Sequence, residues 1–168
     1  MSIKYIPPKR GERSVGTGKA VGVVDCSVEE IAAWAFDFCS NERMRINKEE
    51  KNHARLVLRG KARVNEMTIA TVKAMPFPLN SREYVARQIW KSEQGKVFIA
   101  FESTDDKVDY GVSLRKVRGL VRGIYCIEQI ADRRGANQSR VTIVHRVDAG
   151  GVIPTWVMDK KIPDSLSV

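Results

Sequence analysis

The 168-residue sequence predicts an α+β fold in which a curved antiparallel sheet grips a C-terminal helix. Three observations carry that prediction. A helical period near the start of the chain gives way, from His53 onward, to a period of two. Turn signals at Arg59-Gly60-Lys61, Gln94-Gly95 and "RRGANQ" cut the alternating region into hairpins, and consecutive hairpins make an antiparallel sheet. A strongly twisted sheet of about seven strands has to curl around something, and a second helical signal near the C-terminus supplies it.

Each element follows in order. Residues 1–13 read as a flexible lead-in, since Pro7-Pro8 disfavours helix, and residues 14–168 read as one domain. Ser14 to Asp25 is rich in Gly and Val and reads as a strand. Ser27 caps a helix and Glu30 completes a capping box, with Val28, Ile31, Ala32, Ala35, Phe36 and Cys39 on one stripe and Ser40-Asn41 at its end. "NERMRINKEEKN" is almost wholly polar and reads as a solvated loop with a short helical turn. The hairpin strands are "HARLVL" with "RVNEMTIATVKAM", "YVARQIWKSE" with "KVFIAFEST", and "VRGLVRGIYCIEQIAD" with "RVTIVHRVDA". Gly150-Gly151 then precede "VIPTWVMDKK", where Pro154 suits the first turn of a helix.

Composition narrows the class. Hydrophobic residues at 43% and charged residues at 29% are ordinary for a globular domain, and no run of about 18 apolar residues is present to span a bilayer. The N-terminus lacks the apolar core and cleavage site of a secretory signal. Cys26, Cys39 and Cys126 are odd in number and widely spaced, which predicts reduced thiols and a cytoplasmic setting. The net charge of +9 favours anionic partners in general.

Four segments together resemble a known family. "DCSVEEIAAWAFDF" matches its helix after the first strand, and "FPLNSREYVARQ" its Pro-x-x-x-Arg-Asp turn and strand, with Arg82-Glu83 for Arg-Asp. "KVRGLVRGIYCIEQI" is similar to its next long strand and "SRVTIVHRVDAGGVIPTW" to its last strand and the helix that follows. The chain resembles a lipid-transfer domain related to the steroidogenic acute regulatory protein, the START family. That resemblance implies a helix-grip fold around a lipid cavity. Against it the chain reads as shortened at both ends, with no N-terminal helix and only twelve residues after Trp156.

The resemblance also implies that Arg87 points into the cavity, which would bring Val85 and Ile89 with it. Hairpin counting adds a partner: if Gln94-Gly95 is a two-residue loop, Arg87 faces Glu102, and Phe98, Ala100 and Glu102 share its face. A buried guanidinium without a partner is costly, so an opposite carboxylate is what the physics asks for. In sterol-binding relatives the acid comes from the preceding strand, where Ile69 stands here, so Glu102 is expected to replace it. By the same phasing Met67, Ile69 and Thr71 line the neighbouring strand. The polar segment "TDDKVDYGVSLRK" corresponds to the family's gate loop, and Arg115, Lys116, Arg118 and Arg122 after it are candidates for contact with an anionic membrane.

Catalytic patterns are wanting. His53 and His145 are the only histidines, and neither CxxC nor HExxH occurs. Ser139, His145 and Asp148 have no nucleophile elbow around them. "SVGTGKAV" fails as a phosphate loop because Arg13 stands at its first glycine and Ala20 follows Lys19. Aromatics at 7% and no RNP-like pattern argue against nucleic acid. With these patterns wanting, the resemblance implies a carrier that needs no cofactor or metal, is not an enzyme, and moves a hydrophobic ligand such as a sterol or phospholipid between membranes. The alternatives are a ligand-sensing module of a larger protein and a helix-grip enzyme.

Overall fold

The structure, a computed structural model, describes residues 2–6, 15–58, 63–130, 137–151 and 153. Its elements run β1 (Ser2–Ile6), β2 (Val15–Val24), α1 (Val28–Phe36), α2 (Asn41–Glu49), β3 (Ala54–Leu58), β4 (Glu66–Lys73), β5 (Ser81–Glu93), β6 (Lys96–Ser103), β7 (Lys116–Arg118), β8 (Leu120–Ile130) and β9 (Gln138–Asp148). Eight strands pair antiparallel in the order β1-β2-β9-β8-β6-β5-β4-β3, and β7 lies parallel against the start of β5. This is the predicted α+β architecture with two strands more than expected. The turn at 59–61, most of the loop at 133–138 and the C-terminal helix expected from Pro154 onward lie outside the described residues.

Local chemistry explains the elements. α1 starts where predicted: Ser27 Oγ accepts from the Glu30 amide at 3.2 Å while the Glu30 carboxylate accepts from the Ser27 amide at 2.9 Å, the reciprocal capping box. The β5–β6 hairpin turns on Gln94 and Gly95, both with positive φ (50° and 72°), so Glu93 pairs with Lys96 as counted from sequence.

Three differences have physical reasons. The lead-in contains a strand over Ser2–Ile6, because a proline pair excludes helix but leaves the residues before it free to extend; Tyr5 packs beside Val147 and Ala149. The expected polar loop holds a nine-residue helix, α2. Ser40 caps it by accepting from the Arg43 amide, and Arg45 ties Glu42 and Glu49 one turn away on either side. A third strand segment, β7, adds to β5 because Gly119 donates its amide to the Glu83 carbonyl and brings the chain alongside.

Residues paired across a sheet share a face, so the register sorts every side chain. One face carries the rows Trp90–Ile99–Tyr125–Ile143–Ala20 and Ser92–Val97–Ile127–Val141–Gly22. On it α1 packs Val28, Ile31 and Ala35 against Val97, Ile99 and Ile127, the main core of the molecule. Cys26, Cys39 and Cys126 are free thiols, and no helix among the described residues is long and apolar enough to cross a membrane.

Candidate functional site

On the helix-bearing face, the row next to the α1 contact reads Gln88–Phe101–Gly123–His145–Gly18. Gly123 is crowded on every side and has no room for a side chain. A Cβ on Gly123 would stand 2.5 Å from the Phe101 ring, 2.6 Å from the Val144 carbonyl oxygen and 2.8 Å from the His145 Cβ. Over this row, where α1 ends and α2 begins, lies a cavity of about 460 Å³. That volume is in the range of about 300–1,000 Å³ usual for small-molecule sites. Ile69, Thr71, Tyr84, Ala86, Phe101, Val121 and Val147 give it a largely apolar wall from the sheet, and Ala35 of α1 and Phe38 of the α1–α2 connection close it from above.

A few polar groups break that wall. Gln88 and His145 are buried on the floor, at 4% and 6% exposure. Burial pushes the His145 pKa below its ordinary value, so the imidazole is neutral near pH 7. Burial likewise raises the Tyr84 phenol to about 12 and moves Tyr125 in the same direction. Arg43 enters from α2 with its guanidinium 4.3 Å from the Trp34 ring centroid. Burial lowers its pKa, but a guanidinium keeps its charge. No carboxylate forms an ion pair with Arg43 among the described residues. Arg55, beneath it on β3, stacks on Phe38 at 3.7 Å and donates to the Phe38 carbonyl; burial and the Arg43 charge bring it down to about 10. At one rim Lys73 pairs with Glu50 at 2.6 Å, and Asn52 bonds both Glu50 and the Ala74 amide.

The START domain family model matches residues 43–163, most of the chain and nearly all of the cavity wall. The chain belongs to the START domain family. Its fold is shared at 15–17% sequence identity with solved START structures, which cover both human and bacterial members. The human StarD13 (DLC2) lipid transfer and protein localization domain superposes with a TM-score of 0.64, over 92% of this chain and 79% of that one. Human StAR-related lipid transfer protein 5 gives 0.68 over 98% and 76%. The STAR-related lipid transfer protein from Xanthomonas axonopodis gives 0.68 over 98% and 86%. No curated protein matches the sequence.

Within this START domain the expected residues divide between the two faces. Ile69 and Thr71 line the cavity, and Met67 shares their face in register with Gln88. Arg87 does not point inward. It pairs with Glu102 as counted, yet both stand on the opposite, outer face. The Arg87 side chain is 62% exposed and reaches Glu66 at 3.2 Å. Val85, Ile89, Phe98 and Ala100 go outward with it, Val85 fully buried there and Ile89 exposed. The register was right and the choice of face was inverted, because alternation fixes which residues travel together but not which side faces in.

Sequence reading missed Gln88, Tyr84, Phe101, Tyr125, His145 and Arg43. A signal for the face was present. Continuing the register two strands further aligns Arg87, Glu102, Arg122 and Arg146 in one row, and four charges in one row mark a solvent face. The basic cluster after the gate loop also separates. Lys116 and Arg118 are committed to the buried Glu83 at 2.7 and 3.4 Å, while Arg122 belongs to the Arg87–Glu102 row and forms no ion pair among the described residues.

Proposed function

We propose that this START domain binds one amphiphilic lipid in the cavity beneath α1 and α2 and carries it between membranes. The apolar tail lies along Ile69, Ala86, Phe101, Val121 and Val147, and the head lies at the α2 end. The observation that carries this reading is Arg43: a half-buried guanidinium on the wall of a largely apolar chamber, in no ion pair among the described residues. A buried cation of this kind favours a head that accepts hydrogen bonds, such as a phosphate or carboxylate. Gln88 and the neutral His145 are placed to orient ester or hydroxyl groups further in. Arg87, ion-paired at the surface, has no part in holding the head.

Transfer of the tail from water contributes about 0.8 kcal/mol per methylene buried, so the role is to provide a dry chamber, and it needs no proton transfer or cofactor. Three free cysteines suit a reducing compartment such as the cytoplasm.

Native mass spectrometry of the purified full chain tests the proposal. A bound lipid with an acceptor head group is expected, and a consistently empty protein overturns the carrier reading. Arg43→Leu should weaken lipid retention by at least about tenfold, the loss of one charge-assisted hydrogen bond, while Arg87→Leu leaves it unchanged. The opposite pattern would restore Arg87 as the anchor.

A further inference from the structure

The outer face of the sheet has a hollow of its own. Across β5, β6, β8, β9 and β2 run two parallel rows: Arg87–Glu102–Arg122–Arg146–Thr17, and Ile89–Ala100–Ile124–Val144. Between them the strand backbones form the floor of a groove of about 680 Å³. One wall is charged and the other apolar, with Ile89 and Ile124 exposed at 38% and 40%.

The charged wall is unbalanced. Three guanidiniums share it with Glu102, and Glu66 on the neighbouring strand pairs with Arg87 alone. Arg122 and Arg146 stand directly opposite one another, and neither forms an ion pair among the described residues. Like charges in directly opposed positions destabilise a sheet. Their presence on the rim of an exposed apolar groove fits a surface completed by an anionic partner with an apolar side.

We propose that this groove docks an acidic amphipathic helix from a partner protein. Adjacent strands are about 4.8 Å apart, so the charged wall extends about 14 Å from Arg87 to Arg146. The rows are two residues apart along each strand, or about 6.7 Å. A helix laid along the rows rises about 1.5 Å per residue and covers that span with roughly ten residues. An acidic stripe at i and i+4 then faces the arginines while leucine-like side chains at i+3 and i+7 rest on Ile89, Ile124 and Val144. A flat anionic bilayer would touch the rim and leave the groove between the two rows unfilled. A nucleic-acid backbone would gain nothing from the apolar wall. A second copy of this chain, itself at +9, repels the arginines. The inference stands apart from lipid binding, since the groove and the cavity lie on opposite faces.

Fluorescence anisotropy with a synthetic helical peptide of about 14 residues, glutamate stripe beside leucine stripe, tests it on the full chain. Saturable binding is expected, falling by at least about tenfold in the Arg122→Glu/Arg146→Glu double variant and in Ile124→Ser. The same peptide with lysine in place of glutamate should ignore the native protein and bind the double variant. That charge exchange separates contact from misfolding. Lipid occupancy by native mass spectrometry should be the same in all three proteins, so the carrier reading is judged separately. Absence of peptide binding, or equal binding by the variants, overturns the proposal. Arginine-dependent binding to phosphatidylserine vesicles without peptide binding would overturn it in favour of a membrane. Arginine-dependent self-association in sedimentation velocity would overturn it in favour of a second copy.

Discussion

Arg43 and Arg87 carry the same side chain into opposite surroundings, and the surroundings decide their chemistry. Arg87 shares water with Glu66, and an exposed pair of that kind is worth about 0–1 kcal/mol. Arg43 gives up part of its hydration for an aromatic face, and that cost makes it a site for an incoming acceptor. Gly123 works at the same scale by what it lacks. Gly123→Ala would press a methyl group against the Phe101 ring, the His145 Cβ and the backbone oxygen of Val144 at once. We expect a loss of about 1–3 kcal/mol, read as a lower denaturant midpoint, together with weaker lipid binding as the ring of Phe101 is driven into the chamber. None of this was legible from one strand alone. "YVARQIW" alternates acceptably in either phase: Tyr84, Ala86, Gln88 and Trp90 make as plausible an inner face as Val85, Arg87 and Ile89.

Elements were more legible than faces wherever their signal is local. The capping box of α1 and the Gln94-Gly95 turn each depend on a few adjacent residues, and both stand where the sequence puts them. α2 escaped because its stability comes from pairs a full turn apart and from a single cap, with almost no apolar stripe to show periodicity. Ser40→Ala should cost about 1 kcal/mol and loosen the helix that presents Arg43, so lipid retention should fall along with the thermal midpoint. β7 was invisible for another reason: three residues pairing in parallel with β5 are held by tertiary chemistry. Burial alone would raise the Glu83 pKa, but Lys116, the Tyr110 phenol and Arg118 outweigh it and keep the carboxyl below the ordinary range. Glu83 therefore pins β7 and the end of the segment that joins β6 to β7 against β5. Glu83→Gln leaves two cations competing for one neutral amide; with Lys116 25% and Arg118 31% exposed, we expect about 2 kcal/mol rather than the 3–5 of a fully buried pair. Hydrogen exchange should then rise over residues 104–118 first.

At the scale of the whole molecule, two groups on opposite faces of one sheet give stability two separate dependences on pH. His145, under the cavity, has a folded pKa below its ordinary 6.5. Between those two values the unfolded chain binds the proton more readily than the folded one, so stability rises with pH across that window. On acidification it is constant down to about 6.5, falls below it, and levels once the folded imidazole also titrates. Glu83 behaves differently, because its folded pKa lies below 4.5. Its contribution is intact above 4.5 and is lost as pH falls toward the folded value. Exposed Glu30 and partly exposed Glu128 are lowered as well and share that second window. Urea midpoints measured from pH 8 to pH 3 should therefore fall in two steps. His145→Gln should remove the upper step and leave the lower one intact; Glu83→Gln should shrink the lower step without abolishing it, since the surface carboxylates still titrate. A single transition common to the native protein and both variants would show that neither group is held as the sheet holds it. A lipid filling the cavity adds a further sign. It keeps His145 dry and neutral, so bound lipid should stabilise the fold most above pH 6.5, and the upper step should steepen when the ligand is present.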